Sequence, residues 1–298
     1  MSKNQTLTIE VQSFLTACQF NDGLSQNTID AYRRDLQLIV NWSAPNSFLL
    51  LSFDEISDFI AAQFKDEKSE KSIARCISTL KRFFQFAYQA KLISSNPTSL
   101  LKSPKATKSI PSVISEELVV KLLETPDLAT HLGRRDRAIL ELMYSSGLRV
   151  SELVNLEYEQ INLSAGLVQV TGKGNKERII PVGEVALDYL ELYLNQSRKS
   201  LLKGKLLGAL FISRIGRKMT RQTLWHRVKV LSEQAGIYSN LSPHGLRHAF
   251  ATHLVNHGAD LRTVQLLLGH SDLSTTQIYT HVAKQRLQSV HQLHHPRG

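Results

Sequence analysis

The sequence predicts a mainly α-helical protein with a small antiparallel β-sheet, in which an N-terminal helical bundle precedes a larger α+β domain. Three observations predict this fold class. Apolar residues recur at helical spacing through the first hundred positions. A stretch interrupted by prolines then separates this region from the rest of the chain. Beyond it, two short β-rich runs flank a glycine-containing turn, and most of the remaining sequence has a helical pattern.

Four helices account for the N-terminal region. Apolar spacing predicts them over 6–20, 28–42 and 69–93, and from Ser52 onward. Ser52 is followed three positions later by Glu55, which is a capping box and marks a helix start. Since no strand pattern is present, we predict a small four-helix bundle.

The stretch 94–115, SSNPTSLLKSPKATKSIPSVIS, contains Pro97, Pro104 and Pro111. Proline lacks a backbone donor and clashes with the preceding helical turn, so a continuous helix is excluded here. The serines and lysines between the prolines are typical of a linker. We therefore expect two domains, 1–107 and 108–298.

The second domain has a mixed pattern. Helices are predicted over 115–124, 134–145 and 184–202, and again from Thr220 to near the end of the chain. The runs LVQVT (167–171) and RIIPV (178–182) are β-rich and are separated by GKGN, which predicts a hairpin. The run LFIS (210–213) is expected to add a strand.

The formal net charge of +10 favours a polyanionic partner, either nucleic acid or an anionic membrane. A merely basic protein, such as one associated with ribosomes, is the alternative. No apolar run approaches the ~20 residues of a membrane span, and the N-terminus lacks the apolar core of a signal peptide, so nucleic acid is favoured.

The only cysteines, Cys18 and Cys76, are too few for a disulfide framework or a four-cysteine zinc site. They favour a reduced, cytosolic protein.

The motif SPHGLRH indicates an anion site at a helix N-terminus. Ser242 can cap the helix and Pro243 suits its first turn. His244 and Arg247 then share one face near free backbone N–H groups, where a phosphate is favoured. The alternatives are a zinc pair formed by His244 and His248, for which the usual glutamate is missing, and an ordinary structural histidine.

Two further basic motifs are modest by themselves. In SSGLRVSEL, Gly147 can end a helix, and Arg149 follows in a turn where Glu152 can pair with it or with another cation. In VTGKGNKER, Lys173 lies between two glycines, at a spacing that is not that of a nucleotide-binding loop. A surface arginine and a solvated turn holding Lys173, Lys176 and Arg178 are the corresponding alternatives.

The stretch HSDLSTTQIYTH follows LLLG, which predicts a helix closed by Gly269 with His270 just beyond it. A capping box and a hydrophobic staple then predict a short helix with Tyr279 on its second turn. The alternative is a half-buried core tyrosine. The residues of the capping box are Ser274 and Gln277, and those of the staple are Leu273 and Ile278.

Two surfaces are candidates for contact with DNA. Thr220 opens the helix TRQTLWHRVKV, and the arginine and glutamine that follow it suit the edges of guanine and adenine in the major groove, with contact to the DNA backbone alone as the alternative. Basic residues also recur on the predicted helices of the first domain. The candidates are Arg221 and Gln222 in the second domain, and Arg33, Arg34, Arg75 and Arg82 in the first.

The order of these motifs along the chain resembles that of the tyrosine recombinase (phage-integrase-type) family, and within it the Xer site-specific recombinases. The order is an arginine, a lysine, H-x-x-R, G-H and a tyrosine. The resemblance spans almost the whole chain, including TIDAYRRDL and the HHPRG tail. It implies a C-terminal catalytic domain that forms a C-shaped DNA clamp with the N-terminal core-binding domain. It makes Tyr279 the nucleophile, Arg149 and Arg247 the phosphate clamp, Lys173 the general acid, and His244 and His270 the remaining catalytic residues. Between Lys173 and Lys176, glycine-flanked Lys173 is preferred.

The resemblance implies strand exchange at a DNA recombination site through a 3′-phosphotyrosyl intermediate, without ATP or metal. It implies resolution of chromosome dimers at cell division in the cytoplasm, on the nucleoid, by a heterotetramer with a second, XerC-like recombinase. The C-terminal tail is expected to dock on a neighbouring subunit and to contact the DNA translocase FtsK as an activator. A relaxing topoisomerase and a non-enzymatic DNA-binding regulator are the alternatives; the regulator leaves the ordered catalytic motifs unexplained.

Overall fold

The chain forms two compact units, Met1–Ile110 and Pro111–Gly298. The structure is a computed structural model that describes residues 8–44, 47–102, 114–171, 177–238, 241–269 and 289–297. Among these residues, no helix combines the length and apolar character that crossing a membrane requires.

The first unit is a helical bundle around an aromatic core, and no strand lies among its described residues. Phe83 contacts Phe14 edge-on at 5.4 Å between ring centroids and Phe48 at 5.1 Å. The predicted capping box is confirmed, because the Ser52 side chain and main-chain N–H both exchange hydrogen bonds with Glu55. The helices are α1 (Ile9–Phe20), α2 (Gln26–Ser43), α3 (Phe53–Lys65) and α4 (Glu70–Gln89).

The second unit surrounds helix α6, nearly all of whose residues are buried. Ala138, Leu142 and Met143 of this helix are fully enclosed in the larger hydrophobic core. The helices of the unit are α5 (Glu116–Glu124), α6 (His131–Ser146), α7 (Val150–Asn155), α8 (Glu184–Tyr193), α9 (Lys199–Leu202), α10 (Arg221–Gln234), α11 (Pro243–Asn256) and α12 (Leu261–Leu268).

A three-stranded antiparallel sheet lies in the second unit, with the order β1 (Ile161–Asn162), β2 (Leu167–Thr171) and β3 (Glu177–Pro181). Strands β2 and β3 pair in the predicted hairpin, and Arg178 lies opposite Val170. Residues 172–176, for which the sequence predicts the turn, lie outside the described residues.

The strand expected over 210–213 is wrong, since the third strand of the sheet is β1. The run instead lies at two isolated antiparallel bridges, Ala209 with Glu157 and Ile212 with Lys218. Side chains bond some of its other backbone groups. The hydroxyl of Tyr193 donates to the carbonyl of Leu210 and accepts from the N–H of Ile212. Arg198 also donates to the Leu210 carbonyl, at 3.2 Å.

The helix predicted over 184–202 is interrupted by a π-helical turn, Leu194–Arg198, between α8 and α9. The wider turn coincides with Arg198, whose guanidinium donates to the carbonyls of Leu207 and Ala209 at 2.7 Å each. Single π-helical turns inside α-helices are frequent at functional sites.

The C-terminal segment 289–297 packs against the second unit and is helical over 289–294. His291 and His295 are buried at 1% and 5% exposure, and their rings stack 4.7 Å apart. Each imidazole contacts a main-chain carbonyl of α6, that of Ser145 or that of Tyr144. Both histidines of this segment are therefore structural groups of the second unit.

Candidate active site

Helix α11 positions Arg247 at its N-terminal end. Ser242 caps the helix by accepting from the N–H of Gly245, and Pro243 occupies the first turn, as predicted. One turn on, Arg247 is 8% exposed, and its guanidinium donates to the carbonyls of Gly147 and Leu268. Arg247 is therefore held inside the unit by the ends of two other helices.

Those two helix ends are set by glycines in the left-handed conformation. Gly147 ends α6 with φ 59°, and Gly269 ends α12 with φ 68°, as the sequence predicts for both. A helix C-terminus carries partial negative charge on its unpaired carbonyls. The two glycines thus direct carbonyl dipoles toward a cluster of arginines, where a cation is stabilised.

Arg149 is the N-cap of α7 and also contacts the C-terminal end of α12. One terminal nitrogen donates to Glu152 at 2.8 Å and the other to the Gly269 carbonyl at 3.4 Å. The side chain is 39% exposed, so part of the guanidinium still faces solvent. The structure thus brings Arg149 and Arg247 together at the end of α12.

Glu152 and Arg178 complete this cluster, and sequence reasoning missed the contribution of Arg178. The guanidinium of Arg178 donates two parallel hydrogen bonds to the Glu152 carboxylate, at 2.8 and 2.9 Å. Both side chains are buried. Strand alternation was the signal, because Arg178 lies two positions before buried Ile180 and so occupies the core-facing side of β3.

The cluster holds three guanidinium groups and one carboxylate. Burial, followed by the charge of Arg149, lowers the pKa of Arg247 to about 10. Burial alone would raise the pKa of Glu152, but hydrogen bonds from Arg178 and Arg149 outweigh it and the pKa is lowered. Arg247 and Glu152 are therefore both ionised at neutral pH. Three guanidinium groups against one carboxylate leave an excess of two positive charges available to an anion.

His244 is exposed on the first turn of α11, three residues before Arg247. The other three predicted catalytic residues, Lys173, His270 and Tyr279, lie outside the described residues.

Helix α10 presents the two residues predicted to read DNA. Thr220 caps the helix by accepting from the N–H of Thr223, and Arg221 and Gln222 are exposed on its first turn. Two turns along, Arg227 donates to the buried carboxylate of Asp136 at 2.9 Å. This ion pair ties α10 to α6 and fixes the rotation of the helix about its axis.

The basic residues of the first unit differ in how their charges are used. Arg33 and Arg34 are exposed on α2. Arg75 instead donates two hydrogen bonds to buried Asp35, at 2.8 and 3.0 Å, and Arg82 lies 2.9 Å from Asp22. The charges of Arg75 and Arg82 are therefore compensated within the bundle.

Two protein families match the sequence. Residues 112–286 match the phage integrase family, and residues 11–91 match the phage integrase N-terminal SAM-like domain.

Relatives and solved structures agree with these matches. The chain is 50% identical to the tyrosine recombinase XerD of Proteus mirabilis, covering 97% of this chain and 93% of that protein. It is 50% identical to XerD of Pseudomonas putida, covering 97% of each. This confirms the resemblance to XerD that SPHGLRHAFATHLVNHGADL and the HHPRG tail predict.

The crystal structure of XerA recombinase is similar at a TM-score of 0.51 and 27% identity, over 97% of this chain and 99% of that one. XerH recombinase bound to its difH substrate shares the fold, at a TM-score of 0.67 and 21% identity over 95% and 84% of the two chains. The chain therefore belongs to the phage integrase family, as a site-specific tyrosine recombinase that acts on DNA.

Proposed function

We propose that this chain cuts and rejoins DNA at a specific site with Tyr279 as the nucleophile. The observation that carries the proposal is the convergence of Arg149 and Arg247 on the carbonyls of Gly269 and Leu268, at 3.4 and 2.7 Å. Two fixed guanidinium groups with uncompensated charge suit the non-bridging oxygens of one phosphate.

The reaction begins with the phenol of Tyr279. Its reference pKa near 10 means that forming the phenolate at pH 7 costs about 4 kcal/mol. A base must therefore take the proton as attack proceeds. His244 is the candidate base, and hydrogen bonding to a phosphate oxygen is its alternative role; His270 suits that second role as well.

The phenolate oxygen forms a bond to phosphorus while the bond from phosphorus to O5′ breaks. The products are a 3′-phosphotyrosyl ester and a 5′ hydroxyl, whose proton comes from Lys173 as the general acid. One ester replaces another, so the 5′ hydroxyl of a second strand can attack and reseal the backbone without ATP.

Negative charge accumulates on the non-bridging oxygens during both steps. Preorganised donors aimed at such charge are commonly the largest contribution to catalysis. The excess of two positive charges around Glu152 would stabilise the negative charge on these oxygens, so the proposed reaction needs no metal ion.

We propose a core-binding domain at 1–107 and a catalytic domain at 108–298, both of which contact the duplex. Arg33 and Arg34 would contact phosphates from the first domain. The exposed first turn of α10 would enter the major groove with Arg221 and Gln222. The anchoring of Arg227 by Asp136 supports this role, since sequence reading needs a rigidly held helix.

The proposed biological role is the resolution of chromosome dimers at cell division, on the nucleoid in the cytoplasm. The partner would be a second, XerC-like recombinase in a heterotetramer on two DNA sites. In that assembly the C-terminal tail, which packs on its own unit over 289–297, would exchange onto a neighbouring subunit and receive activation from the translocase FtsK. The similarity to XerD over nearly the whole chain supports these assignments.

A nicked duplex carrying a candidate recombination site tests the nucleophile. A nick a few nucleotides to the 3′ side of the scissile phosphate lets the short fragment that carries the new 5′ hydroxyl diffuse away, so the covalent adduct accumulates and survives denaturation. We expect an adduct with the wild-type chain and none with Tyr279→Phe, which should bind the same DNA with unchanged affinity. An adduct formed by Tyr279→Phe contradicts the assignment, and a wild-type chain that forms none on any permissive site refutes the enzymatic interpretation.

A further inference from the structure

We propose that Arg178 is a positioning residue of the arginine clamp, acting through Glu152 on Arg149. This inference rests on the proposed function, because it takes Arg149 to be a phosphate ligand. Arg178 itself is 6% exposed and therefore does not contact substrate.

The geometry of Arg178 is fixed from two directions. Its strand β3 is paired residue by residue with β2, which sets the backbone. Its two terminal nitrogens then hold both oxygens of Glu152, at 2.8 and 2.9 Å. A planar guanidinium and a planar carboxylate in this arrangement leave little rotational freedom.

Gly269 confines the remaining side of the guanidinium. A Cβ atom placed on Gly269 would lie 2.8 Å from Nε of Arg178 and 2.9 Å from its Cζ. Within the described residues, that Nε is a buried donor without an acceptor. A buried donor left unpaired is costly, which indicates that the position of Arg178 is kept for a reason other than its own hydrogen bonding.

The role of Arg178 follows from the hydrogen bonds that it and Arg149 both donate to the Glu152 carboxylate. One carboxylate oxygen accepts from Arg178 and from the side chain of Arg149, each at 2.8 Å. The other accepts from Arg178 at 2.9 Å and from the main-chain N–H of Arg149 at 2.8 Å. The two hydrogen bonds from Arg178 thus fix the orientation of the carboxylate that holds Arg149. Without them, the Glu152 carboxylate could rotate, and Arg149 would lose its position toward the phosphate.

Arg178→Lys tests this role with two substrates. Lysine keeps the charge and cannot form the paired hydrogen bonds. One nicked duplex carries a natural scissile phosphate, and the other carries a methylphosphonate, in which an uncharged methyl group replaces one non-bridging oxygen. The rate of covalent adduct formation is measured with both substrates on the same preparation, so the ratio of the two rates is independent of the folded fraction.

We expect Arg178→Lys to lower the rate on the phosphate roughly 10- to 100-fold, by analogy with the loss caused by changing a residue that orients a metal ligand. The rate on the methylphosphonate should change little, because less negative charge develops there. Arg137→Lys is the matched control, since Arg137 forms a buried pair with Glu141 at 2.9 Å. Its variant should leave the ratio of the two rates unchanged.

Arg149→Ala separates this inference from the proposed function. If Arg149→Ala lowers both rates equally, Arg149 is not a phosphate ligand and the proposed clamp is wrong. If Arg149→Ala lowers only the phosphate rate while Arg178→Lys leaves the ratio at the wild-type value, the clamp stands and the positioning role of Arg178 is overturned.

Discussion

Arg247 donates a hydrogen bond to the main-chain carbonyl of Gly147, which lies 100 residues earlier in the chain. The same guanidinium donates to the carbonyl of Leu268. One side chain on α11 therefore joins the C-terminal ends of α6 and α12. The helix caps and the proposed phosphate clamp share these hydrogen bonds, so a change to either should alter both.

Gly147→Ala should damage stability and activity together. Gly147 has φ 59°, and a Cβ atom there would lie 2.4 Å from the ring of Phe250. Left-handed backbone costs alanine roughly 1–2 kcal/mol, and overpacking adds about 1–3 kcal/mol. Chemical denaturation should show the loss of stability, and adduct formation should slow because Arg247 is displaced.

Gly204→Ala is the control for this change. Gly204 has φ 79°, and among the described residues no atom beyond its chain neighbours lies within 4 Å of a Cβ placed there, so only the backbone cost applies. Its adduct formation should match the wild type. Equal activity in both glycine variants would show that the cap and the clamp are independent.

Arg34→Ala should weaken DNA binding, whereas Arg75→Ala should lower the stability of the fold. Arg34 is exposed, so its loss should weaken DNA binding on all sequences and reduce the salt-dependence slope by about one. Arg75 holds buried Asp35, which is 2% exposed, so its loss should cost roughly 1–3 kcal/mol of stability. Salt titrations of DNA affinity and denaturation of each variant distinguish the two roles. A reduced salt slope in Arg75→Ala with unchanged stability would reverse the assignment.

Lys173→Ala should be rescued by a substrate with a better leaving group. Loss of a general acid typically costs 10²- to 10⁴-fold in rate. A bridging sulfur at the 5′ position leaves as a thiolate and needs no proton, so cleavage should recover. Lys176→Ala, from the same turn, should behave like the wild type on both substrates. Rescue of Lys176→Ala in place of Lys173→Ala would identify Lys176 as the acid.

The docking of segment 289–297 should weaken as the pH falls below about 6.5. Burial lowers the pKa of His291, and burial together with the charge of His291 lowers that of His295 well below 6.5. The undocked histidines bind protons near pH 6.5 while the docked ones do not. Docking is therefore fully favoured above this pH and loses up to about 1.4 kcal/mol per histidine for each pH unit below it.

The imidazole of His253 and the guanidinium of Arg297 also act on the pKa of His295, and the ring of Tyr144 contacts its imidazole at 4.9 Å between centroids. Hydrogen exchange of 289–297, corrected for its intrinsic pH dependence, should show protection falling between pH 7 and pH 5. His295→Gln can still donate to the Tyr144 carbonyl and cannot titrate, so its protection should fall less. An identical pH dependence in the variant would rule out His295 as the titrating group.

Local signals in the sequence predicted the elements around the site well. Ser52, Thr220 and Ser242 accept helix N-terminal hydrogen bonds, and Gly147 and Gly269 adopt the left-handed conformation. Each of these features depends on a few neighbouring residues, so a short motif determines it.

Features that depend on distant contacts were missed. From the sequence, Arg178 is interpreted as part of a solvated turn. Its role is visible only in the folded structure, where it bonds Glu152, 26 residues away in the chain. The run 210–213 has strand-forming residues, but it forms an isolated bridge at Ile212 in place of a strand, and the hydroxyl of Tyr193 bonds the Leu210 carbonyl and the Ile212 N–H. The histidines of the tail look polar in sequence, and only the carbonyls of α6 explain their burial.

The proposed function depends above all on the DNA becoming joined to Tyr279. Tryptic digestion of the trapped adduct, followed by nuclease trimming and mass spectrometry, identifies the joined residue. Cleavage after Arg262 and Lys284 releases residues 263–284, in which Tyr279 is the only tyrosine. We expect a residual nucleotide mass on this peptide, with fragment ions that place it on Tyr279. The same mass on another peptide, or on a serine or threonine of this one, would show that Tyr279 is not the nucleophile.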